Sequence, residues 1–357
     1  MPHEILTTLD TPAVVVDLDV AKANIDRFQA YADAHGIKVR PHVKTHKLPQ
    51  IAKMQLAAGA IGITCQKVSE AAAMVENCPE IQDVFITYNI VGTTKLAALA
   101  KLAEQVDLSV VADSTAVIDG LSATFNGWHR PLKVLVECDT GANRCGVATP
   151  DAADTLAAYI DAAPGVAFGG LMTYPPAGGE AAVDTFMRKA FELISQRGIA
   201  VPTISSGGSP TMMQAANAPI TTEYRPGTYV YNDRSLVARE TCAWADCALT
   251  VLATVVSKPA ENRVIIDAGS KTLTSDLLGL TGYGHILGHD DIVIDQLSEE
   301  HGRLVSNVAI NLEVGDRVRI VPNHACVVSN MVDAVYLIGA GRDDVLSVPV
   351  VARGHIT

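Results

Sequence analysis

Lys44 sits between two histidines, His42 and His46, in the stretch "KVRPHVKTHK" of residues 38–47. It follows the apolar Val43 at the end of a run that reads as a strand, where a side chain is open to partial desolvation. An amine so placed is a candidate covalent catalyst, because it can form a Schiff base with a carbonyl. Taken alone, the stretch fits a solvated basic turn equally well. Further along, "SSGGSPT" (205–211) runs towards a helical segment after Pro210, and "RPGTYVYND" (225–233) supplies Gly227 and Thr228. Backbone N–H groups at a glycine turn and a helix N-terminus present donors to an anion, so these stretches make a candidate phosphate cradle. In "PNHAC" (322–326), His324 and Cys326 are two apart, and on a strand both side chains would leave one face. Imidazole with thiolate is a soft pair suited to Zn²⁺; two ligands are too few for a structural site and suit a catalytic ion with open positions. A packed strand pair satisfies the same spacing.

The elements that must position these groups alternate regularly. Apolar, β-branched runs recur at "IKVRPHV", "IGITC", "DVFITYN", "DLSVVAD", "LKVLVECD", "VAFGGLMTY", "TISSGG" and "EYRPGTYVY", eight candidate strands. Between most of them lie segments such as "TTKLAALAKLAEQ" and "DTFMRKAFELISQRG", with helix formers and apolar spacings of three and four. Strands alternating with helices predict βα units, and eight of them predict an α/β fold of the closed (β/α)₈ TIM-barrel type; a doubly wound sheet is the alternative. Function in a barrel belongs at the C-terminal strand ends. Lys44 follows the first strand, "DTGANRCGV" (139–147) follows the fifth, Tyr174 ends the sixth, and the two glycine-bearing stretches close the seventh and eighth. A phosphate cradle facing a reactive lysine is what pyridoxal 5'-phosphate requires, anchored at one end and bonded at the other. Near residue 243 the texture changes to "CALTVLATVVSK", "RVIIDAG", "DRVRIVPNHACVVS" and "DAVYLIG", with turn signals and no comparable helices. This predicts a second, C-terminal all-β domain. The expected division is a barrel at 19–242 and a β domain carrying His324 and Cys326 at 243–357, joined by the N-terminal segment 1–18 with its strand "AVVVDLD".

Charge and composition narrow the partners. A net charge of −12 over 357 residues, with no basic block, argues against nucleic-acid and anionic-membrane binding and leaves a small-molecule substrate. No stretch approaches the roughly 20 apolar residues of a spanning helix, and "MPHEILTTLD" lacks the basic start and apolar run of a signal peptide, so a cytoplasmic location is expected. Seven cysteines, an odd number scattered along the chain, do not form a disulfide framework.

The motifs "TPAVVVDLD", "RPHVKTHK", "DTGANRCGV", "SSGGSPT", "RPGTYVYND" and "PNHAC", in this order, resemble the fold-type III pyridoxal-phosphate enzymes typified by alanine racemase. Within them the chain is similar to the D-threonine aldolase and D-serine dehydratase group over nearly its whole length. The resemblance implies that Lys44 is the Schiff-base lysine, that Arg144 contacts the cofactor ring and that Tyr174 is the active-site tyrosine. Read without it, Arg144 fits a surface ion pair with Glu137 or Asp139, and Tyr174 a packed rim aromatic. Arginine keeps its proton, so beside the ring it favours an unprotonated pyridine nitrogen and limits the electron sink. Ser206, Gly207 and Gly208, with Gly227, Thr228 and Tyr229, match the stretches that hold the phosphate. His324 and Cys326 align with the group's His-x-Cys or His-x-Asp, implying one divalent ion, Zn²⁺, Mn²⁺ or Mg²⁺. Cysteine in the second place is the dehydratase-like version; some aldolases carry aspartate there.

The leading activity so implied is that of a carbon–carbon lyase: retro-aldol cleavage of D-β-hydroxy-α-amino acids, D-threonine first, to glycine and an aldehyde. His42 or a water on the ion would take the hydroxyl proton; His42 also reads as a packing group, and His46 as structural. A D-serine dehydratase would use the same parts, with Lys44 removing the α-proton. An amino-acid racemase would need a second base, for which Tyr283 in "TGYGHILG" is the candidate. A non-catalytic pyridoxal-phosphate carrier is the remaining reading, and the β domain and "PNHAC" count against it. The resemblance also implies a homodimer.

Overall fold

The eight apolar runs form eight parallel strands. In the computed structural model, which describes residues 6–339, 341 and 344–357, strand β1 (Ala13–Asp17) leads into a helix, Leu18–Ala34. There follow β2 (Lys38–Val39), β3 (Ile63–Cys65), β4 (Asp83–Asn89), β5 (Asp107–Ala112), β6 (Leu132–Cys138), β7 (Val166–Thr173), β8 (Ile204–Ser206) and β9 (Glu223–Tyr224). They pair in parallel in the order β2-β9-β8-β7-β6-β5-β4-β3. The two ends of that order meet through a parallel bridge between His42 and Thr64, with Ile61 N–H donating to the Val39 carbonyl and Thr64 N–H to that of Pro41. A TIM-type barrel results, and the doubly wound alternative falls. Strands β2 and β9 are shorter than the runs containing them because Pro41 and Pro226, lacking N–H groups, cannot extend a ladder.

Local sequence accounts for the helices between the strands. In Glu180–Gln196 the buried residues Val183, Met187, Ala190 and Ile194 recur every three or four positions, one stripe of a 3.6-residue helix. Pro150–Ala162 starts with proline in its first turn and Thr149 as its cap, the hydroxyl accepting Ala152 N–H at 3.2 Å. Strand β6 is buried at six of its seven positions, as a strand covered on both faces must be. After Pro210 the expected helical segment is a 3₁₀ helix, Met212–Asn217.

Contacts divide the described chain into two units. The barrel unit comprises Asp26–Lys44, Pro49–Gly227 and His355–Thr357; the other takes the described residues up to Ile25, Thr45–Leu48 and those of Thr228–Gly354. The chain therefore leaves the barrel unit directly after Lys44 and again after Gly227, upstream of the change of texture near residue 243.

The second unit is built on a nine-stranded, mostly antiparallel sheet. It contains β10 (Leu249–Ala260), β11 (Arg263–Ile266), β12 (His285–Ile286), β13 (Val293–Leu297), β14 (Gly302–Val305), β15 (Arg317–Val321), β16 (Ala334–Ile338) and β17 (Leu346–Pro349). Strand β1 completes it, antiparallel to β10 and parallel to β16. Residues 1–5 of the expected joining segment lie outside the described residues. One expectation fails here: β15 stops at Val321, before Pro322, and His324 and Cys326 do not lie on a strand. His324 is the N-cap of a short helix, Ala325–Met331, in which Cys326 occupies the first turn. Among the described residues no helix is long and apolar enough to cross a membrane.

Candidate active site

In the barrel unit, Lys44 lies in a 3₁₀ turn, Val43–Thr45, past the end of β2. His42 fixes the start of that turn. Its N–H donates to the Pro226 carbonyl at 2.8 Å, its Nδ1 accepts the Lys44 N–H at 3.4 Å, and its Nε2 lies 3.1 Å from Gln66 Oε1. Gln66 in turn donates through Nε2 to the Thr87 carbonyl. This pattern makes Nε2 the protonated nitrogen. With both ring nitrogens engaged and only 7 % of its surface exposed, His42 is placed to hold the lysine turn.

The "DTGANRCGV" loop is folded back on β6. Asp139 Oδ1 accepts the N–H groups of Gly141 and Asn143, Val147 N–H donates to the Glu137 carbonyl, and Gly146 N–H reaches Asp113. Gly146 is required: at φ 110° a Cβ would lie 2.6 Å from the Cys138 carbonyl carbon. So held, the loop presents Arg144 over the ring of Tyr174, the guanidinium carbon 4.7 Å from the centroid. Tyr174 follows β7 and is 42 % exposed. Beneath the loop, burial pushes the Glu137 carboxyl up to about 7; Asp113 and Asp139 add to the shift, while Arg144 and Arg225 oppose it.

Arg225 escaped sequence reading although it opens a quoted motif. It is buried inside the barrel, bonded to the Ser205 hydroxyl and donating to the Thr173 carbonyl at 2.7 Å, while its N–H donates to the Ser206 carbonyl. Ser205 is bonded to Glu223, which pairs with Arg40 at 2.8 Å, and Arg40 with Asp83 at 2.6 Å. One cation thus ties the ends of β7, β8 and β9, and with them Tyr174, Ser206 and Gly227. A buried arginine is a surprise that only a closed barrel with a polar interior can satisfy.

The glycine-bearing stretches expected to hold a phosphate lie against that frame. A Cβ on Gly207 would lie 2.7 Å from the Arg225 carbonyl oxygen, and Gly208 adopts φ 137°, so neither tolerates a side chain. Ser209 Oγ accepts the Gly227 N–H at 3.2 Å, and the Tyr224 hydroxyl donates to the Gly208 carbonyl at 2.9 Å. Because the following helix is a short 3₁₀ segment, the donors on offer are loop N–H groups rather than a helix terminus. These features fit a phosphate.

In the second unit, Thr228–Val230 is another 3₁₀ turn. The Thr228 hydroxyl lies 3.4 Å from Cys326 Sγ, and Tyr229 is 1 % exposed, so Tyr229 could serve an anion through its backbone alone. Thr45 Oγ1 lies 3.1 Å from the same sulfur. His324 hydrogen-bonds Cys326 and, through Nδ1, Asp276 Oδ2 at 2.9 Å. Burial opposes charge on His324, but these partners outweigh it and push its pKa up to about 9. Burial likewise opposes the Cys326 thiolate, and His324, Thr228 and Thr45 outweigh it, so the thiol is lowered. Among the described residues no three His, Cys, Asp or Glu side chains form a group that could hold a metal, and His324 and Cys326 meet at a helix N-terminus rather than on a strand face. A thiolate and an imidazole that leave positions open fit a catalytic divalent ion.

The neighbouring residues separate clearly. His46 is fully buried, its Nδ1 accepting Leu48 N–H at 3.0 Å, with Tyr231 edge-on. Lys47 is committed to Asn330 and the Ala352 carbonyl, and Lys67 lies over the Tyr88 ring. The Tyr283 loop is pinned by Asn323, whose side chain donates to the Gly282 carbonyl at 2.8 Å.

The chain matches the family described as "Alanine racemase, N-terminal domain" over residues 16–235 and the "Putative serine dehydratase domain" over 248–338. It is 36 % identical to D-threonine aldolase of Arthrobacter sp., across 95 % of this chain and 92 % of that protein. To D-threo-3-hydroxyaspartate dehydratase of Delftia sp. (strain HT23) it is 32 % identical, across 91 % and 93 %. The solved D-threonine aldolase of Filomicrobium marinum superposes with a TM-score of 0.89 at 32 % identity, across 98 % and 97 %. The chain belongs to the alanine racemase-like, fold-type III family of pyridoxal-phosphate enzymes, and the proteins it is similar to include both aldolases and a dehydratase.

Proposed function

We propose that this enzyme cleaves D-β-hydroxy-α-amino acids, with D-threonine the leading substrate, to glycine and an aldehyde, using pyridoxal phosphate and one divalent ion. When bound, pyridoxal phosphate supplies the electron sink at the α-carbon, and the ion a Lewis acid for the β-hydroxyl. Lys44 would hold the cofactor through Nζ. Ser206, Gly207, Gly208 and Gly227 would hold its phosphate, with the backbone of Thr228 and Tyr229, while Arg144 and Tyr174 flank the ring. His324 Nε2 and Cys326 Sγ would hold the ion. His42, offered by the sequence as a proton acceptor, here orients the Lys44 turn. The observation that carries the reading is that the hydroxyls of Thr45 and Thr228 both lie against Cys326, the thiol of the proposed ligand pair. A homodimer is the expected assembly.

A second reading, β-elimination by a dehydratase, is favoured by the cysteine at position 326 and by the serine dehydratase match over 248–338. It would use Lys44 as the base at the α-carbon. Product analysis with D-threonine and metal-supplemented enzyme separates the two. Glycine with acetaldehyde supports aldol cleavage; 2-oxobutanoate with ammonia means elimination. Comparable turnover of L-threonine would sink the D-specific reading.

A further inference from the structure

We propose that Asp276 is the positioning residue of the divalent-ion site, holding His324 in the one tautomer and orientation that can bind metal. The inference rests on the metal reading above and adds to it a carboxylate that lies outside the "PNHAC" motif. Asp276 Oδ2 is 2.9 Å from His324 Nδ1. A carboxylate there keeps the N–H on Nδ1, so that when an ion displaces the Nε2 proton the ring is already in the tautomer and orientation a metal-binding imidazole needs, and the negative charge raises the basicity of Nε2. His324 is the N-cap of its helix, with φ −139° and ψ 102°, and its ring makes no capping hydrogen bond to the helix backbone, so its orientation rests on Asp276 and Cys326.

The backbone on both sides is built to keep this contact. Asp276 lies in a loop after the short helix Ser270–Leu273, and its N–H donates to Thr274 Oγ1 at 2.8 Å. Thr274 and Leu278 both adopt left-handed backbone angles, φ 63° and 48°, which side-chain-bearing residues rarely hold unless neighbouring structure requires it. Leu280 N–H closes the turn on the Leu277 carbonyl at 2.8 Å. On the ligand side, Asp233 Oδ2 accepts the Ala325 N–H at 3.1 Å, fixing the peptide between His324 and Cys326. Asp233 is itself anchored by Ser235 and by Leu236 N–H. One carboxylate thus sets the ring and another sets the backbone. With two protein ligands, affinity depends on how fully each is pre-oriented, because no third ligand restores the geometry if one turns away.

Asp276 is 43 % exposed at its side chain, so its pairing with His324 is screened by solvent, and Cys326 still faces the imidazole when Asp276 is replaced; little stability is at stake. The test is Co²⁺ and Zn²⁺ binding to the full-length, metal-stripped chain, read by the thiolate–Co²⁺ charge-transfer band and by competition with a chromophoric chelator. Asp276→Ala should weaken both ions by about 10- to 100-fold, the usual cost of losing an outer-shell partner. Asp276→Asn, whose side-chain oxygen can still accept from Nδ1–H but carries no charge, should fall between wild type and alanine. Thermal midpoints of the metal-free proteins should coincide. If Asp276→Ala binds as tightly as wild type while His324→Ala has lost the ion, this assignment is overturned and the metal reading stands. If wild type takes up no stoichiometric ion, or His324→Ala takes it up equally, the metal reading itself fails and the role of Asp276 goes with it.

Discussion

The two units carry their chemical groups in different ways. In the barrel, Lys44, Arg144, Tyr174, Ser206–Gly208 and Gly227 each sit within a few residues of a strand end, and the sheet order brings those ends to one rim. Their placement is local to each βα unit, while buried ties through Arg225 and Arg40 each span three strands. In the second unit, His324 and Cys326 depend on residues distant in sequence: Thr45, Thr228, Asp233 and Asp276. A repeated fold thus lets short motifs place the candidate groups, whereas an irregular β unit gathers its candidate groups from separate loops.

The contrast predicts that damage in the barrel abolishes function at the cofactor, whereas damage in the second unit spares the cofactor. Lys44→Ala should reduce turnover the most, by ~10³-fold or more, as removal of a covalent catalytic group does. Its protein should also lack the visible or near-ultraviolet absorbance of bound cofactor. Borohydride reduction of wild type followed by peptide mapping should place the cofactor on Lys44; recovery on Lys47 or Lys67 would break the assignment.

A chelator, or His324→Ala, should abolish turnover next, while the cofactor absorbance stays largely unchanged. Cys326→Asp sharpens the point: a harder oxygen ligand should shift preference from Zn²⁺ towards Mn²⁺ or Mg²⁺ on re-addition. Full activity in thoroughly demetallated protein would remove the second unit from the chemistry and erase the contrast.

The smallest expected effect is one of stability in the barrel. Glu137, raised to about 7 chiefly by burial, contributes stability that is complete below its ordinary value of 4.5 and is lost as pH rises through about 7. Unfolding free energy should therefore decline across that window by up to about 3 kcal/mol, and Glu137→Gln should flatten the decline. An unchanged slope in chemical denaturation of the variant would show that Glu137 titrates normally.

Much of this protein is set by its sequence. The eight β-branched runs with helical spacers determined the barrel, because periodicity and strand length are local properties that tertiary contacts here did not override. The glycines at 207, 208 and 227, the lysine after a strand and the His-x-Cys spacing were likewise legible, since each is a short pattern with a chemical reason. What the sequence could not determine is how distant segments meet. "PNHAC" reads as strand because its flanks are apolar and β-branched, yet Pro322 ends β15 and Asp233 captures the Ala325 N–H, turning the segment into a capped helix. Arg225 gave no signal of burial, because only a closed barrel surrounds it with Ser205 and the Thr173 carbonyl. Asp276 stands 48 residues from His324, and the loop that brings it there holds Thr274 and Leu278 at positive φ, which no local pattern announces. Side-chain identity and local period are written along the chain; partners that must cross tens of residues are decided by packing and hydrogen-bond satisfaction in three dimensions.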